Sequence, residues 1–197
     1  MAILEDEKFI KKINLTLKND GVIAFVTDTV WGMGCLPNKE KAVDKIYEIK
    51  GRDRTKPLIL MSDELNNLLP YIKPMDEFTA QLAKKYFPGA LTIITEKSDE
   101  TPDYITSGKN TVGIRVPDNQ TFNYICKMLK GNVLATTSAN LSGQPAAKTY
   151  EEALKFIGDY VDLVISDYNN NAKGIESTVV SYSGSELKVL RQGSLIL

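Results

Sequence analysis

The chain has 197 residues, which is the length of one globular domain. Its 24 lysine and arginine residues nearly balance its 25 aspartate and glutamate residues. This balance argues against a protein coated with positive charge for nucleic-acid binding, although a local basic patch is compatible with it. The sequence contains no histidine, which excludes Ser-His-Asp catalysis, Cys-His catalysis and histidine-ligated metal sites.

The two cysteines, Cys35 and Cys126, stand far apart in the sequence. They form no CxxC pair, which argues against a structural zinc site or a disulfide framework. A reducing compartment suits this usage, and we expect a cytoplasmic protein. No segment reaches the roughly 18 consecutive apolar residues of a membrane span, and the acidic residues 1–8 do not resemble a signal peptide. We therefore expect no contact with a membrane.

Helical and strand patterns alternate along the chain. Apolar residues at helical spacing predict helices at 4–19, 39–50, 62–69, 75–87, 121–129 and 149–157. Short apolar, β-branched runs predict strands at 22–27, 58–61, 91–95, 111–116, 133–137, 161–165, 177–182 and 187–191. Ser62 is the expected N-cap of the third helix, Gly51 ends the second, and Thr149 with Glu152 has the spacing of a capping box.

This alternation predicts an α/β fold in which helices flank one twisted, open sheet. The last two strands are expected to form a hairpin around residues 183–184, which makes the sheet mixed. No linker or repeat divides the sequence, so we expect a single domain over residues 1–197. Sheets of this kind bind ligands where loops leave the strand ends. Polar-rich loops follow several of the predicted strands, and they are the places to look for chemistry.

The first such loop covers residues 27–34, with the sequence TDTVWGMG. Side chains alternate in an extended chain, so Thr27 and Thr29 are expected to face the same way and to suit a polar ligand. Gly32 and Gly34 do not form a dinucleotide-binding fingerprint, because the third glycine is missing. The alternative is a strand-end turn in which the threonines favour β structure.

The second loop covers residues 50–57, KGRDRTKP, and has a cation at every second position. The residue before a proline avoids the helical region, so an extended segment is expected, with all four cations on one face. Such a row repels itself unless an anion lies against it, and lysine and arginine both bind phosphate. The alternative is a charged loop that is solvated and binds nothing.

The third loop covers residues 136–143, TTSANLSG, and places small hydroxyl and amide groups at the end of a buried strand. They suit a nucleotide or amino-acid pocket, or simply a turn. Arg115 and Arg191 lie in short apolar strands, where an unpaired cation is costly to bury. Each should therefore have an anionic partner or lie at an exposed edge. A P-loop is excluded, because Lys109 is followed by asparagine and the first glycine of that motif is absent.

Together with three further motifs, these segments resemble the YrdC/Sua5 family of threonylcarbamoyl-AMP synthases in its short, single-domain form. The motifs of that family stand in order over about residues 20–193 as TDTVWGMG, KGR followed by Pro57-Leu58, PGALT at 88–92, RVP at 115–117, SANLSG at 138–143 and EST at 176–178. The departures are small: Val26, Trp31, Met33, Asp53 and Met61 stand where the family commonly has other residues.

The resemblance implies a YrdC-like sheet with a concave ligand face and a nucleotidyltransferase activity. The family condenses L-threonine, bicarbonate or CO2, and ATP to threonylcarbamoyl-AMP and pyrophosphate, for the threonylcarbamoyladenosine modification of tRNA. The resemblance also implies that Mg²⁺ arrives bound to ATP, with no protein ligand assigned to it. The implied partners are tRNA or double-stranded RNA and downstream threonylcarbamoyl-transferase proteins.

Carried over by position, the resemblance assigns roles to twelve residues. The catalytic residues would be Lys50 and Arg52. L-threonine would be bound by Thr29, Arg115, Thr136 and Ser177. ATP would be bound by Lys50, Arg52, Lys56, Thr111, Ser138, Asn140, Ala146 and Arg191. The polar loop 166–176 is a candidate lid over this site.

Three alternatives stay open at this point. The chain could be an RNA-binding module, whose binding would weaken steeply with salt. It could also be a relative of the same fold without synthase activity, or a carbamoyl-transfer domain of hydrogenase maturation, which usually sits in a much longer chain.

Overall fold

The computed structural model describes residues 7–51, 53–129, 131–184 and 186–197. The strands are β1 (Ile23–Phe25), β2 (Gly32–Cys35), β3 (Ile59–Ser62), β4 (Leu91–Glu96), β5 (Thr111–Arg115), β6 (Val133–Ser138), β7 (Leu163–Val164), β8 (Thr178–Ser183) and β9 (Glu186–Arg191). The helices are α1 (Glu7–Lys18), α2 (Glu40–Lys50), α3 (Leu65–Leu68), α4 (Glu77–Tyr86), α5 (Asp103–Thr106), α6 (Gln120–Lys127) and α7 (Tyr150–Ile157).

All of these strands belong to one mixed sheet in the order β7-β1-β2-β6-β3-β5-β4-β8-β9. The pairs β1–β7, β3–β5 and β4–β8 are parallel, and the other neighbours are antiparallel. The predicted mixed α/β sheet with a closing hairpin is therefore confirmed. None of the helices in the described ranges is long and apolar enough to cross a membrane.

The two faces of the sheet bury two separate sets of side chains, because successive residues of a strand point to opposite faces. In β6, for example, Val133 and Ala135 belong to the larger core, whereas Leu134 belongs to the smaller one. Side chains of α2, α3, α4, α5 and α7 pack into the larger core. Only α1 and α6 contribute helical side chains to the smaller core, and they pack there against β1, β3 and β6. Among the described residues, no helix packs on the β4–β8–β9 half of that second face.

Local signals in the sequence account for several element ends. Gly51 ends α2 in the left-handed region, with φ at 54°, and its N–H donates to carbonyls of the last turn. At the start of α7, Thr149 Oγ1 accepts from the Glu152 N–H at 3.2 Å, and Glu152 in turn accepts from the Lys148 N–H at 2.8 Å. The predicted capping box is thus confirmed, with its return bond one residue earlier than expected.

Two local predictions are wrong. Ser62 is the last residue of β3 and donates to the Asn132 carbonyl at 2.6 Å, while α3 begins three residues later without a side-chain cap. The loop expected at 27–34 gives way at Gly32 to the strand β2 (Gly32–Cys35). A Cβ on Gly32 would lie 2.9 Å from the Phe25 ring, and one on Gly34 would lie 2.8 Å from the Ala135 carbonyl oxygen. The glycines are therefore what lets β2 fit between its neighbours.

Candidate functional site

A cavity of about 630 Å³ lies over the face of the sheet that the helices leave partly open. Its floor is formed by side chains of five strands. They are Ile59, Thr92, Arg115, Thr136 and Val179. Loops at the strand ends complete the walls, as expected for an α/β sheet.

Nine of the twelve site residues named from the sequence line this one cavity. They are Thr29, Lys50, Lys56, Arg115, Thr136, Ser138, Asn140, Ser177 and Arg191. Thr111 and Ala146 do not line it, and Arg52 lies outside the described residues. Residues that are up to 162 positions apart in the sequence are therefore brought together, from Thr29 to Arg191.

Arg115 is the most tightly held cation of the site, and its side chain is only 3% exposed. Its Nη2 donates to Asp28 Oδ1 at 2.5 Å, its Nη1 to Thr29 Oγ1 at 2.8 Å and its Nε to the Gly89 carbonyl at 3.0 Å. A guanidinium has five N–H donors, so these bonds leave one donor on each terminal nitrogen. The expectation that Arg115 has an anionic partner is confirmed, and the partner is Asp28.

Burial is the main influence on the Arg115 guanidinium, and it lowers the pKa of that group. The charge and hydrogen bond of Asp28 act in the opposite direction, and the positive charge of Arg191 lowers the pKa further. A cation held this way attracts a further anion from the cavity, because its field is little screened by water. An amino-acid carboxylate is a ligand of the right size and charge for its two remaining donors.

Lys50 lies at the end of α2 and is 4% exposed. Its Nζ donates to the Ser138 carbonyl at 2.8 Å, the Asn140 carbonyl at 3.0 Å and Asn140 Oδ1 at 2.8 Å. An ammonium has three donors, so these oxygens of the 138–143 loop satisfy all of them. Ser138 Oγ also donates to Asn140 Oδ1 at 2.7 Å. The buried ammonium thus holds the small-residue loop against the end of the helix.

The extended row of cations predicted for residues 50–56 is not formed. Gly51 lies in the left-handed region, and a turn places the Lys56 N–H 3.2 Å from the Asp53 carbonyl oxygen. Arg52, a member of the predicted row, lies outside the described residues. Arg54 points away from the cavity, pairs with Asp44 at 2.6 Å and lies over the Tyr47 ring. Lys56 remains at the cavity wall. The local partner for Arg54 and the left-handed Gly51 explain why the alternation failed.

Arg191 and Ser177 meet on the opposite side of the cavity. Arg191 donates from Nε and Nη2 to the Ser177 carbonyl, from Nη2 to Ser177 Oγ at 3.1 Å, and from Nη1 to Glu176 Oε2 at 2.7 Å. Ser177 Oγ also shares a 2.9 Å hydrogen bond with Thr92 Oγ1. Glu176 is thus the anionic partner that the sequence indicated for Arg191.

The threonine pair of the first loop forms as expected. Thr27 Oγ1 and Thr29 Oγ1 are 3.1 Å apart, and Thr27 donates to the Val30 carbonyl at 2.7 Å. The same loop is bonded to the segment named as a lid, because the Gly174 N–H donates to the Thr29 carbonyl at 2.7 Å. The Lys173 N–H bonds the Asp28 carbonyl at 3.3 Å. Any movement of residues 166–176 would therefore act on the groups that hold Arg115.

Three charged residues at the site were not named from the sequence as site residues. Asp28 stands within the first motif, and the need of Arg115 for an anion was the signal that could have identified it. Glu176 precedes Ser177 and pairs with Arg191. Lys109 lines the cavity from the loop before β5, although its only sequence signal was the Gly-Lys pair of a P-loop that is not present.

The donor set for a metal is small. No cluster of three acidic or cysteine side chains that could bind an ion occurs within the described ranges. Glu176 is the one carboxylate among the described residues that line the cavity. A magnesium ion would therefore obtain most of its ligands from elsewhere, and phosphate oxygens with water are the usual source.

Comparison with known proteins agrees with this geometry. A threonylcarbamoyl-AMP synthase of Idiomarina loihiensis is 35% identical over 156 residues, which cover 77% of this chain and 82% of the relative. The crystal structure of Pyrococcus abyssi Sua5 complexed with L-threonine matches 96% of this chain, with a TM-score of 0.89 and 30% identity. Escherichia coli YciO matches 95% of this chain and is itself covered to 90%, with a TM-score of 0.83 and 26% identity.

The relatives differ in length. This chain spans 55% of the Pyrococcus abyssi Sua5 structure and 53% of the curated synthase of that organism. The family model for Sua5, YciO and YrdC proteins, described as "Telomere recombination", matches residues 15–193. This match covers nearly the whole chain and includes every cavity residue described above, so the chain belongs to the Sua5/YciO/YrdC family.

Proposed function

We propose that this protein is an enzyme, an L-threonylcarbamoyladenylate synthase of the nucleotidyltransferase class. It condenses L-threonine, bicarbonate or CO2, and ATP to threonylcarbamoyl-AMP and pyrophosphate. The observation that carries the proposal is Arg115, a buried guanidinium at the cavity floor whose three bonds to Asp28, Thr29 and Gly89 leave two donors for a carboxylate. The names of the relatives support the same reaction.

The threonine end of the site lies around Arg115. The carboxylate of the amino acid binds the two remaining N–H groups, and the hydroxyls of Thr29, Thr136 and Ser177 surround its polar groups. Thr136 Oγ1 donates to the Ile59 carbonyl at 3.2 Å, so its lone pairs remain to accept from a ligand. The unprotonated amino group of threonine attacks the carbon of CO2, a new N–C bond forms, and a proton passes to water, which gives the carbamate N-carboxythreonine. With bicarbonate as the carbon source, the same carbamate forms with loss of water.

The ATP end lies along the 138–143 loop. Ser138, Asn140, Lys56 and Arg191 contact the nucleotide, and the charge of Lys50 lies just beneath them. Arg52, Thr111 and Ala146 belong to the same proposal as further ATP contacts.

The adenylyl-transfer step requires no protein base. The carbamate oxygen of N-carboxythreonine is already anionic, and it attacks the α-phosphorus of ATP. A new P–O bond forms to the carbamate, the bond from the α-phosphorus to the bridging oxygen breaks, and pyrophosphate leaves with that electron pair. The residues of the chain position both reactants and stabilise the phosphate charges, which suffices for phosphoryl-type transfer. This agrees with a sequence that has no histidine.

Magnesium enters this proposal as a companion of ATP. It would offset phosphate charge, and Glu176 is the carboxylate among the described lining residues that could help to hold it. The product is a mixed anhydride, which suits transfer of the threonylcarbamoyl group to a tRNA adenosine by a further transferase. The alternative of an RNA-binding relative without synthase activity is not favoured, because the curated relatives described above are synthases.

The test is pyrophosphate release from ATP and Mg²⁺, measured with and without L-threonine and bicarbonate, with L-serine for comparison. We expect release only when both co-substrates are present, and slower release with L-serine. Release without threonine, or ATP binding with no release under any of these conditions, would contradict the proposal.

A substitution then tests whether the cavity has a threonine end and an ATP end as proposed. Thr29→Val removes a hydroxyl that is bonded to Arg115 and should raise the KM for threonine more than the KM for ATP. Thr106→Val is the matched control, because Thr106 is equally buried but lies outside the cavity lining. A larger effect on ATP than on threonine would place Thr29 at the nucleotide side instead.

A further inference from the structure

Two lysines reach the cavity from neighbouring loops on the same side. Lys56 lies in the loop between α2 and β3, and Lys109 lies in the loop between α5 and β5. Both side chains are exposed. Within the described ranges, neither ammonium makes a hydrogen bond or an ion pair, in contrast to the fully bonded ammonium of Lys50.

The two loops are held together by hydrogen bonds that do not involve the lysine side chains. Tyr47 Oη donates to the Lys56 carbonyl at 2.9 Å and shares a 3.3 Å bond with Ser107 Oγ. The Leu58 N–H donates to the Ile105 carbonyl at 2.9 Å. The Lys109 N–H is itself bonded to the Thr106 carbonyl at 3.1 Å. The backbones that carry the two ammonium groups are therefore fixed next to each other, and none of these bonds uses a lysine side chain.

Both ammonium groups line one cavity, and Asp53 is the carboxylate on which the charge of Lys56 acts. A multivalent anion in the cavity would be attracted by both charges. Lysine acts as a point charge toward phosphate and needs no fixed geometry to do so. The buried cations of the site, Lys50 and Arg115, have their donors mostly occupied by protein oxygens. The two exposed lysines are thus the groups best able to bind a charged leaving group at the cavity mouth.

We propose that Lys109 is a further phosphate-binding residue of this site, which contacts the β- and γ-phosphates of ATP, and then pyrophosphate, together with Lys56. This inference rests on the proposed function only in its choice of nucleotide. It assigns the pyrophosphate end of the cavity to the side formed by the loops 53–57 and 107–110. Tyr47 acts there as a positioning residue for both loops.

The experiment measures dissociation constants by calorimetry for pyrophosphate, ATP and AMP, with the full chain and the variants Lys109→Ala and Lys109→Glu. Lys84→Ala and Lys84→Glu are the controls, because Lys84 is an exposed lysine of α4, which packs on the other face of the sheet. Loss of one solvent-exposed ammonium contact should weaken pyrophosphate and ATP binding about 5-fold, and charge reversal should weaken it more. AMP binding should be unchanged.

Each outcome decides the point. Equal affinities for pyrophosphate in the wild type and Lys109→Glu would overturn the proposal, as would an equal loss for AMP and ATP. Lys84 variants that weaken binding to the same extent would also overturn it, since the effect would then be one of net charge. Binding does not require turnover, so a Lys109-dependent loss for ATP in a protein without synthase activity would support this inference and contradict only the proposed function.

Discussion

The buried ion pair between Asp28 and Arg115 provides the sharpest test of how this site is held together. The two side chains are 7% and 3% exposed, and their nearest atoms are 2.5 Å apart. Asp28→Asn keeps an oxygen that can accept the hydrogen bond from Arg115 and removes only the negative charge. The guanidinium would then be buried without a counterion, and its remaining neutral partners would be Thr29 and Gly89.

The expected cost follows from that burial. Removing one partner of a buried pair typically costs about 3–5 kcal/mol, because it leaves an uncompensated charge. The amide oxygen recovers part of this, so we expect Asp28→Asn to lower the free energy of unfolding by about 3 kcal/mol. Asp44→Asn is a matched control: its pair with Arg54 is equally short at 2.6 Å but 38% and 62% exposed. Exposed pairs contribute only about 0–1 kcal/mol.

Urea denaturation at neutral pH measures both variants, with the free energy obtained by linear extrapolation and the slopes compared to confirm that the same surface is exposed. Arg115→Met and the double variant complete a cycle, in which the double variant should cost less than the sum of the two single changes. If Asp28→Asn and Asp44→Asn lose the same stability, the argument from burial is refuted. Additive single changes would likewise refute a direct coupling between the two charges.

Three further predictions concern other parts of the fold. Gly34→Ala should cost about 2 kcal/mol in the free energy of unfolding, since its Cβ would lie 2.8 Å from a backbone oxygen of β6; an unchanged denaturation midpoint would contradict this. Asp76→Ala should cost about 1 kcal/mol, because the Asp76 carboxylate caps α4. Burial raises the pKa of Asp76, but hydrogen bonds from Thr79 and from the Asp76 and Phe78 backbone together outweigh it and lower that pKa from 3.8. This loss should therefore be present at pH 7 and shrink as the pH falls below 3.8. Burial, aided by the charge of Asp20, raises the pKa of Cys35 to about 12, and burial raises the pKa of Cys126 well above 9.0. Neither thiol should therefore react with iodoacetamide at pH 8 until the protein is unfolded. Labelling of the native protein would contradict this, because it would show the thiols to be accessible.

The sequence predicts most of the sheet because its strands are short apolar runs with clear ends. The strand β2 was not predicted, because its sequence Gly-Met-Gly-Cys has neither the β-branched residues nor the alternation of apolar and polar residues that is typical of a strand. Its glycines are needed only because the Phe25 ring and the β6 backbone lie so close. Those neighbours come from distant parts of the chain, and a local pattern contains no information about them.

The sequence predicts which residues line the candidate site better than it predicts the contacts between them. Nine of the named residues line one cavity, because each stands at a strand end or in a loop that follows one. The predicted row of cations at 50–56 is not formed, because Arg54 pairs with Asp44 of α2 and so points away from the cavity. The partner of Arg115 was expected to be an anion, but its identity as Asp28, 87 positions earlier, depends on the register of the sheet.

Arg191 is partly exposed and is still bonded to Glu176 and Ser177. The other described cations of this cavity divide into two kinds, and their burial explains the division. A buried ammonium or guanidinium must be surrounded by oxygens of the protein, since its desolvation would otherwise cost several kcal/mol; Lys50 and Arg115 meet that requirement and so fix the shape of the cavity floor and the 138–143 loop. An exposed ammonium is solvated and can remain without a protein partner at little cost. Lys56 and Lys109 are of this second kind, and they can exchange water for the oxygens of an incoming phosphate. A site that performs its chemistry without histidine thus needs both kinds of cation. The buried cations position the reactants, and the exposed cations bind the negative charge that develops on the leaving pyrophosphate.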